Sequence, residues 1–433
     1  MLADQRLTPI VLAMFLASLI GGVHAGTEIY KHGWDTVHDV MGMHGKFGSA
    51  DDLPSDASLK FVGANYPIVT TGSGCAKESK MSLEDASLYV AAKIKAANPK
   101  TKVGMYWRTD MAKEISQCSN FSSELKTHGT DWFLRDDNNT LVQKGSDYLW
   151  DYSNKDGAAF FANAITNVVQ QTLPSGAPAM DYIYLDGPGW GDIKGISTAR
   201  NAKLRAAKMA WLADLQTQFD AVPGGRNIIL NGVDNPDTAA QFSPTGASGV
   251  MFDHWSILQY LLRGPQSDCG DAKNLSAVCG KFNTTAMDAA FDFIRSPIMS
   301  NMTVQVKGWV GPVIKQPGHY PSQIHTPTGA TEQAQVAGER FNSELALFLL
   351  VAEKHMFWMY SWFWGFDSWV PDQSDSQVPH GFFPQTKCQL GAPAGPPKRV
   401  GKTWTYTREY AHASVFVNLD NRTASRVEFN GNC

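Results

Sequence analysis

MDYIYLDGPGW, residues Met180 to Trp190, is a run of aromatic and aliphatic β-formers that ends on Asp186 and is broken off by Gly187, Pro188 and Gly189. A run of this kind bounded by glycine and proline predicts a buried strand opening into a loop. Where strands alternate with helices, a carboxylate at the carboxyl end of a strand stands where a parallel barrel keeps its chemistry. The reading of the fold therefore depends on what flanks this stretch.

Toward the N-terminus, residues 61–65, 103–107 and 148–151 read as three earlier strands, with helical spacing over 82–97 and 156–173. Ser82 followed three residues later by Asp85 has the pattern of a helix N-cap. Toward the C-terminus, residues 227–231, 250–253, 303–310 and 356–364 read as strands five to eight, and 198–219, the stretch from about Ile257 and 331–351 read as helices. Eight strands alternating with helices predict an α/β chain folded as a (β/α)8 TIM barrel. An open doubly wound sheet would carry a phosphate-binding glycine loop after its first strand, and there is none. Residues 26–56 show no clear period and read as an irregular approach, 131–144 as an excursion, and 316–328 as a loop long enough to cover a site. Residues 384–402, rich in Pro and Gly, read as a linker; 404–419 and 424–429 alternate as β and predict a small C-terminal β appendage. The expected division is thus a signal peptide over 1–25, a barrel over 26–383, and a linker with a β segment over 384–433.

The 433 residues carry a formal net charge of −4, which makes no electrostatic case for nucleic acid or for a membrane surface. The aromatic load is more telling, because 13 Trp, 13 Tyr and 22 Phe exceed what a core needs and aromatic faces stack on the C–H faces of sugars. Arg6, the apolar run 9–20 and Val23-His24-Ala25 form a secretory signal pattern cleaved before Gly26, so the expected location is extracellular. Six cysteines follow it, Cys75, Cys118, Cys269, Cys279, Cys388 and Cys433, an even number that should be oxidised in an exported chain. Fifteen pairings are possible. Proximity in the chain favours Cys269 with Cys279 and Cys388 with Cys433, which leaves Cys75 with Cys118. Six glycosylation sequons, at Asn120, Asn138, Asn274, Asn283, Asn301 and Asn421, agree with that route.

With the strands placed, polar residues gather at their carboxyl ends: Asn65, Arg108 and Asp110, Asp151, Asp186, Asn231, and Asp253 with His254. Single Asp residues cap helices and make turns, but several on one rim converge. Hydrolysis of a glycosidic bond needs two carboxyl groups, one ionised as nucleophile or base and one protonated to release the leaving oxygen. Asp186 and Asp253 end the fourth and sixth expected strands, an arrangement similar to retaining α-galactosidase barrels. That similarity makes Asp186 the nucleophile and Asp253 the general acid/base. The competing reading of Asp253 is an N-cap of the following helix. Asp151, in LWDYS, is the third catalytic candidate, with a helix cap or a hydrogen-bond partner to the rim as its alternative. Asn65, Tyr66, Trp107, Arg108, Trp190, Asn231, His254, Trp255 and Trp362 are the candidate sugar contacts. His32, His38 and His44 lack a metal-binding spacing, there is no G-x-S-x-G or H-E-x-x-H motif, and neither metal nor cofactor is expected.

Several stretches then resemble a known group: YPIVTTG from Tyr66, NPKTKVGMYW from Asn98, YLWDYSN from Tyr148, MDYIYLDG from Met180 and YTREYAHASVFVNL from Tyr406. In order and spacing they are similar to the hypothetical glycosyl hydrolase family 15, over most of residues 61–429. The resemblance implies a barrel glycosidase with a carboxylate at Asp186 and leaves the sugar open. Members often carry glutamate then histidine on the sixth strand where this chain has Asp253-His254, a shorter arm that retracts the carboxyl by about one C–C bond. The expected activity is cleavage of O-glycosidic bonds of an oligo- or polysaccharide. The alternatives are a carbohydrate-binding barrel without catalysis and a polysaccharide lyase, which leaves an unsaturated product.

Overall fold

A computed structural model describes residues 29–30, 33–42, 53–72, 80–112, 118–145, 147–189, 191–233, 236–252, 291–309, 330–361, 382–419 and 424–433. Its centre is one sheet of eight parallel strands: β1 (Val40–Gly42), β2 (Ile68–Thr71), β3 (Lys102–Arg108), β6 (Tyr182–Asp186), β7 (Asn227–Asn231), β8 (Gly249–Phe252), β9 (Thr303–Trp309) and β10 (Met356–Ser361). Neighbours in space are neighbours in chain order, with only the small antiparallel hairpin β4 (Gln143–Lys144) and β5 (Asp147–Tyr148) interposed. The two outer strands approach each other: Asp39 bridges Trp358 in parallel, and the Trp358 amide donates to the His38 carbonyl at 2.6 Å. A sheet so ordered and so bridged is an α/β barrel-like fold, unlike a doubly wound sheet, whose strand order reverses at its centre.

Helices join the strands: α1 (Asp56–Asn65), α2 (Leu83–Ala97), α3 (Ser122–Thr127), α4 (Lys155–Val169), α5 (Thr198–Asp220), α6 (Pro236–Phe242), α7 (Pro297–Ser300) and α8 (Ala330–Val351). Period-two alternation divides each strand between two cores. Trp107, Ile183, Leu185, Leu230, Val304 and Trp358 point out against the helices. Ile68, Tyr106, Tyr182, Tyr184, Ile229, Met251, Phe357 and Met359 fill the interior. Gly104 is what lets the Tyr182 ring lie flat there, since a β-carbon at residue 104 would sit 2.1 Å from Tyr182 Cε2.

Three expectations are corrected. Residues 61–65 are the last turns of α1, whose N-cap Ser55 accepts from the Ser58 amide at 3.2 Å, and not a strand. Residues 148–151 contribute to the β4–β5 hairpin and isolated bridges outside the main sheet. The true first and second strands are β1, inside the supposedly irregular approach, and β2. The two errors cancel in the count. Tyr182–Asp186 remains fourth, and the strands expected as fifth to eighth keep their places.

The C-terminal region forms a four-stranded antiparallel sheet, β11 (Lys398–Arg399), β12 (Thr405–Glu409), β13 (Ala413–Asn418) and β14 (Arg426–Phe429), laid against α8. The Arg408 guanidinium donates to the carbonyls of Leu349, Leu350 and Ala352 at the end of that helix, and Tyr410 Oη donates to Leu349 O at 2.6 Å. Residues 384–391, expected as linker, pack closely: Cys388 and Leu390 are buried, and Cys388 is bonded to Cys433 as expected. Cys118 is also in a disulfide. Cys75, Cys269 and Cys279 lie outside the described residues, as does the signal pattern. Among the described residues no helix is long and apolar enough to cross a membrane.

Candidate active site

β6 ends where it does because Gly187 turns the chain with φ +66°, a conformation that costs other residues about 1–2 kcal/mol. A β-carbon there would also lie 2.8 Å from Asp110 Cγ, so glycine is required twice over. The turn leaves Asp186 half-buried at the carboxyl end of the strand. Its backbone carbonyl accepts from both the amide and the hydroxyl of Thr109, each at 2.8 Å.

The carboxylate is held from both neighbouring strands. Tyr106 Oη on β3 donates to Asp186 Oδ2 at 2.6 Å, and Asn231 Nδ2 on β7 donates to Oδ1 at 2.8 Å. Tyr106 is itself braced by a stacked Tyr184 ring, centroids 5.6 Å apart. One donor on each oxygen fixes the plane of the carboxylate.

Beside it, on the rung that pairs with Asp186, stands Arg108. It forks onto Asp110 through Nε and Nη2, both at 3.0 Å, and Lys144 Nζ adds a third bond to Asp110 at 2.9 Å. Burial penalises the charge of both Arg108 and Asp110, but the pairing outweighs it: the guanidinium is held above its ordinary range and the carboxyl below its own. Asp110 is thereby committed to two cations and is unsuited to donate a proton.

The remaining candidates separate. Asp151 Oδ1 accepts from the Ser153 amide at 2.9 Å and from its hydroxyl, a local turn. It opens on a polar cavity of about 560 Å³ lined also by Asp131, Arg135, Asp137, Asn139 and Arg200. Asn65 and Tyr66 stand where α1 runs into β2, at the amino end of a strand and so on the opposite face from the rim. Asn65 Nδ2 bonds Phe61 O, and Tyr66 is buried beside Phe382. Trp107 is wholly buried on the outward side of β3 against Phe161 and offers no face to a sugar. Trp190, Asp253, His254, Trp255 and Trp362 lie outside the described residues. Tyr106 escapes a reading that fastens on Trp107, although parity with Arg108 marks it as the inward residue.

The model of the hypothetical glycosyl hydrolase family 15 matches residues 95–414, about three quarters of the chain. The chain belongs to that family. The stretch matched runs from the end of α2 to the start of β13, with Asp186 and its partners Tyr106, Thr109 and Asn231 inside it. No curated protein matches. Solved structures similar to this family member include the α-amylase of Geobacillus thermoleovorans in complex with acarbose, at 8% identity over 89% of this chain and 87% of that one, TM-score 0.47. An Anoxybacillus α-amylase matches at 8% identity over 84% and 78%, TM-score 0.46. The α-galactosidase AgaA of Geobacillus stearothermophilus in complex with stachyose matches at 9% identity over 88% of this chain, TM-score 0.44, and the present chain spans only 47% of it.

Proposed function

We propose that this family member is a secreted, retaining glycoside hydrolase of an oligo- or polysaccharide, built as a (β/α)8 barrel with the C-terminal β-sheet as an appendage. Asp186 is its nucleophile and Asp253, the residue after β8, its general acid/base. Asp186 Oδ attacks the anomeric carbon while Asp253 gives its proton to the leaving oxygen. Water then enters as Asp253 takes a proton back, and the sugar leaves with its configuration retained. Arg108 and Asn231 contact the sugar beside Asp186, as do Trp190, His254, Trp255 and Trp362; Asp151 stands in reserve as the second carboxyl. The observation that carries this reading is the Asp186 carboxylate at a strand terminus, gripped by Tyr106 and Asn231. Secretion is supported by the signal pattern at residues 1–25 and by the Cys388–Cys433 bond.

The test is a panel of 4-methylumbelliferyl glycosides and of plant, fungal and animal polysaccharides with reducing-end detection. Wild type is run beside Asp186→Gly, Asp186→Asn and Asp253→Asn. Hydrolysis lost in Asp186→Gly and replaced on addition of azide by a glycosyl azide supports the nucleophile. Hydrolysis that survives Asp186→Asn removes Asp186 from that role.

A further inference from the structure

The inward face of α5 carries Leu204, Trp211, Leu212, Leu215 and Phe219 at helical spacing, with three polar residues among them, Asn201, Gln216 and the single charge Lys208. Lys208 is 2% exposed, and a lysine is almost never so buried unless it is paired. Its ammonium lies 5.2 Å from the centre of the Tyr152 ring, and Nζ donates to the Gly187 carbonyl at 2.6 Å. That carbonyl belongs to the peptide immediately after Asp186. Tyr152 in turn donates to Thr109 O at 2.6 Å, and Thr109 holds the carbonyl of Asp186 itself. Two successive peptides at the end of β6 are therefore fastened from one cluster.

We propose that Lys208 is a positioning residue for the nucleophile: by holding the Gly187 carbonyl from the helix side, it sets the angle at which the Asp186 side chain enters the site. The proposal rests on the reading of Asp186 as nucleophile. Packing alone would be met by methionine, which fills the same space without a buried charge. Among the described residues, Asp110, Asp186 and Lys144 are charged groups that act on Lys208. Burial pushes its ammonium down to about 7 against the pull of the two carboxylates, so this contact is kept at a cost to the fold.

The experiment compares wild type, Lys208→Met, Lys208→Arg and Asp186→Asn on the best-cleaved member of the panel above, with thermal unfolding of each at pH 7. Lys208→Met is expected to lower kcat about 100-fold, the scale of an ångström-sized misplacement, while KM stays within threefold. Its unfolding midpoint is expected at or above that of wild type. Lys208→Arg, which keeps a donor at that depth, recovers at least a tenth of the wild-type kcat. A kcat for Lys208→Met within threefold of wild type overturns the proposal, as does a loss confined to KM. If the methionine variant does not fold, Lys208→Arg decides by the same split: a kcat between a tenth of wild type and wild type with KM unchanged supports the proposal, and a raised KM with unchanged kcat overturns it. Activity in Asp186→Asn, or none in wild type, removes the underlying reading instead.

Discussion

Asp186 takes its direction from residues that are not themselves acids. Tyr106→Phe removes the donor to Oδ2 and leaves the ring stack with Tyr184 in place. A hydrogen bond to a charged group is worth about 1.5–3 kcal/mol, so kcat/KM should fall about 10- to 100-fold with little change in unfolding temperature. Steady-state kinetics beside a melting curve checks both. Lys208 supplies a pH dependence whose sign is fixed. Its folded pKa, about 7, lies below the usual 10.5, so the unfolded chain holds the proton over that interval while the native state gives it up. The native state is then favoured most above 10.5 and loses that advantage as pH falls through 7, by at most about 1.4 kcal/mol per pH unit. Denaturant midpoints from pH 7 to 10 should rise more steeply in wild type than in Lys208→Met. Asp186 is legible in the sequence because a strand breaks on Gly-Pro-Gly. Tyr106 is hidden because reading Trp107 as the rim residue puts β3 one position out of phase, and a slip of one exchanges its faces. Lys208 is hidden because a single charge on a helix face reads as solvated until its burial is known.

At the scale of elements, the strands from β6 onward are legible, and the two short ones that open the sheet are not. β1 and β2 are three and four residues long, too brief to show an alternation, and parallel strands buried on both faces lack one in any case. Phe61, Val62 and Asn65 mimic a strand because α1 exposes only part of its surface. Sheet order follows from the helical crossovers, which allow adjacent parallel strands one handedness. The end of α8 depends on a residue 56 positions further on, which no local pattern reveals: Arg408 satisfies carbonyls that the helix cannot. Arg408→Ala strips those acceptors of their donor in a buried setting. A loss of about 3 kcal/mol is expected, seen as a lower urea midpoint with m unchanged.

Across the whole molecule the C-terminal region is tied to itself and to the segment around residues 35–39. Cys388–Cys433 closes a span of 45 positions, and the chain-entropy model assigns such a loop about 4 kcal/mol. Cys433→Ser should lower the denaturant midpoint accordingly, and addition of reductant should then lower it no further through this bond. The N-terminal segment is stitched to the same region. The Val37 amide donates to Thr386 O, the Leu390 amide to Asp35 O, and Lys387 pairs with Asp39 across 348 positions. Synthesis at roughly 5–20 residues per second puts about 20–70 s between Asp39 and its partner leaving the ribosome. For most of that time, until β10 is made, β1 has no closing strand on its far side, and an unpaired parallel edge is an invitation to other chains. Closure of the sheet therefore waits for residues more than 300 positions after its first strand, and the species exposed in the meantime is a sheet built along most of its width and still open at the seam.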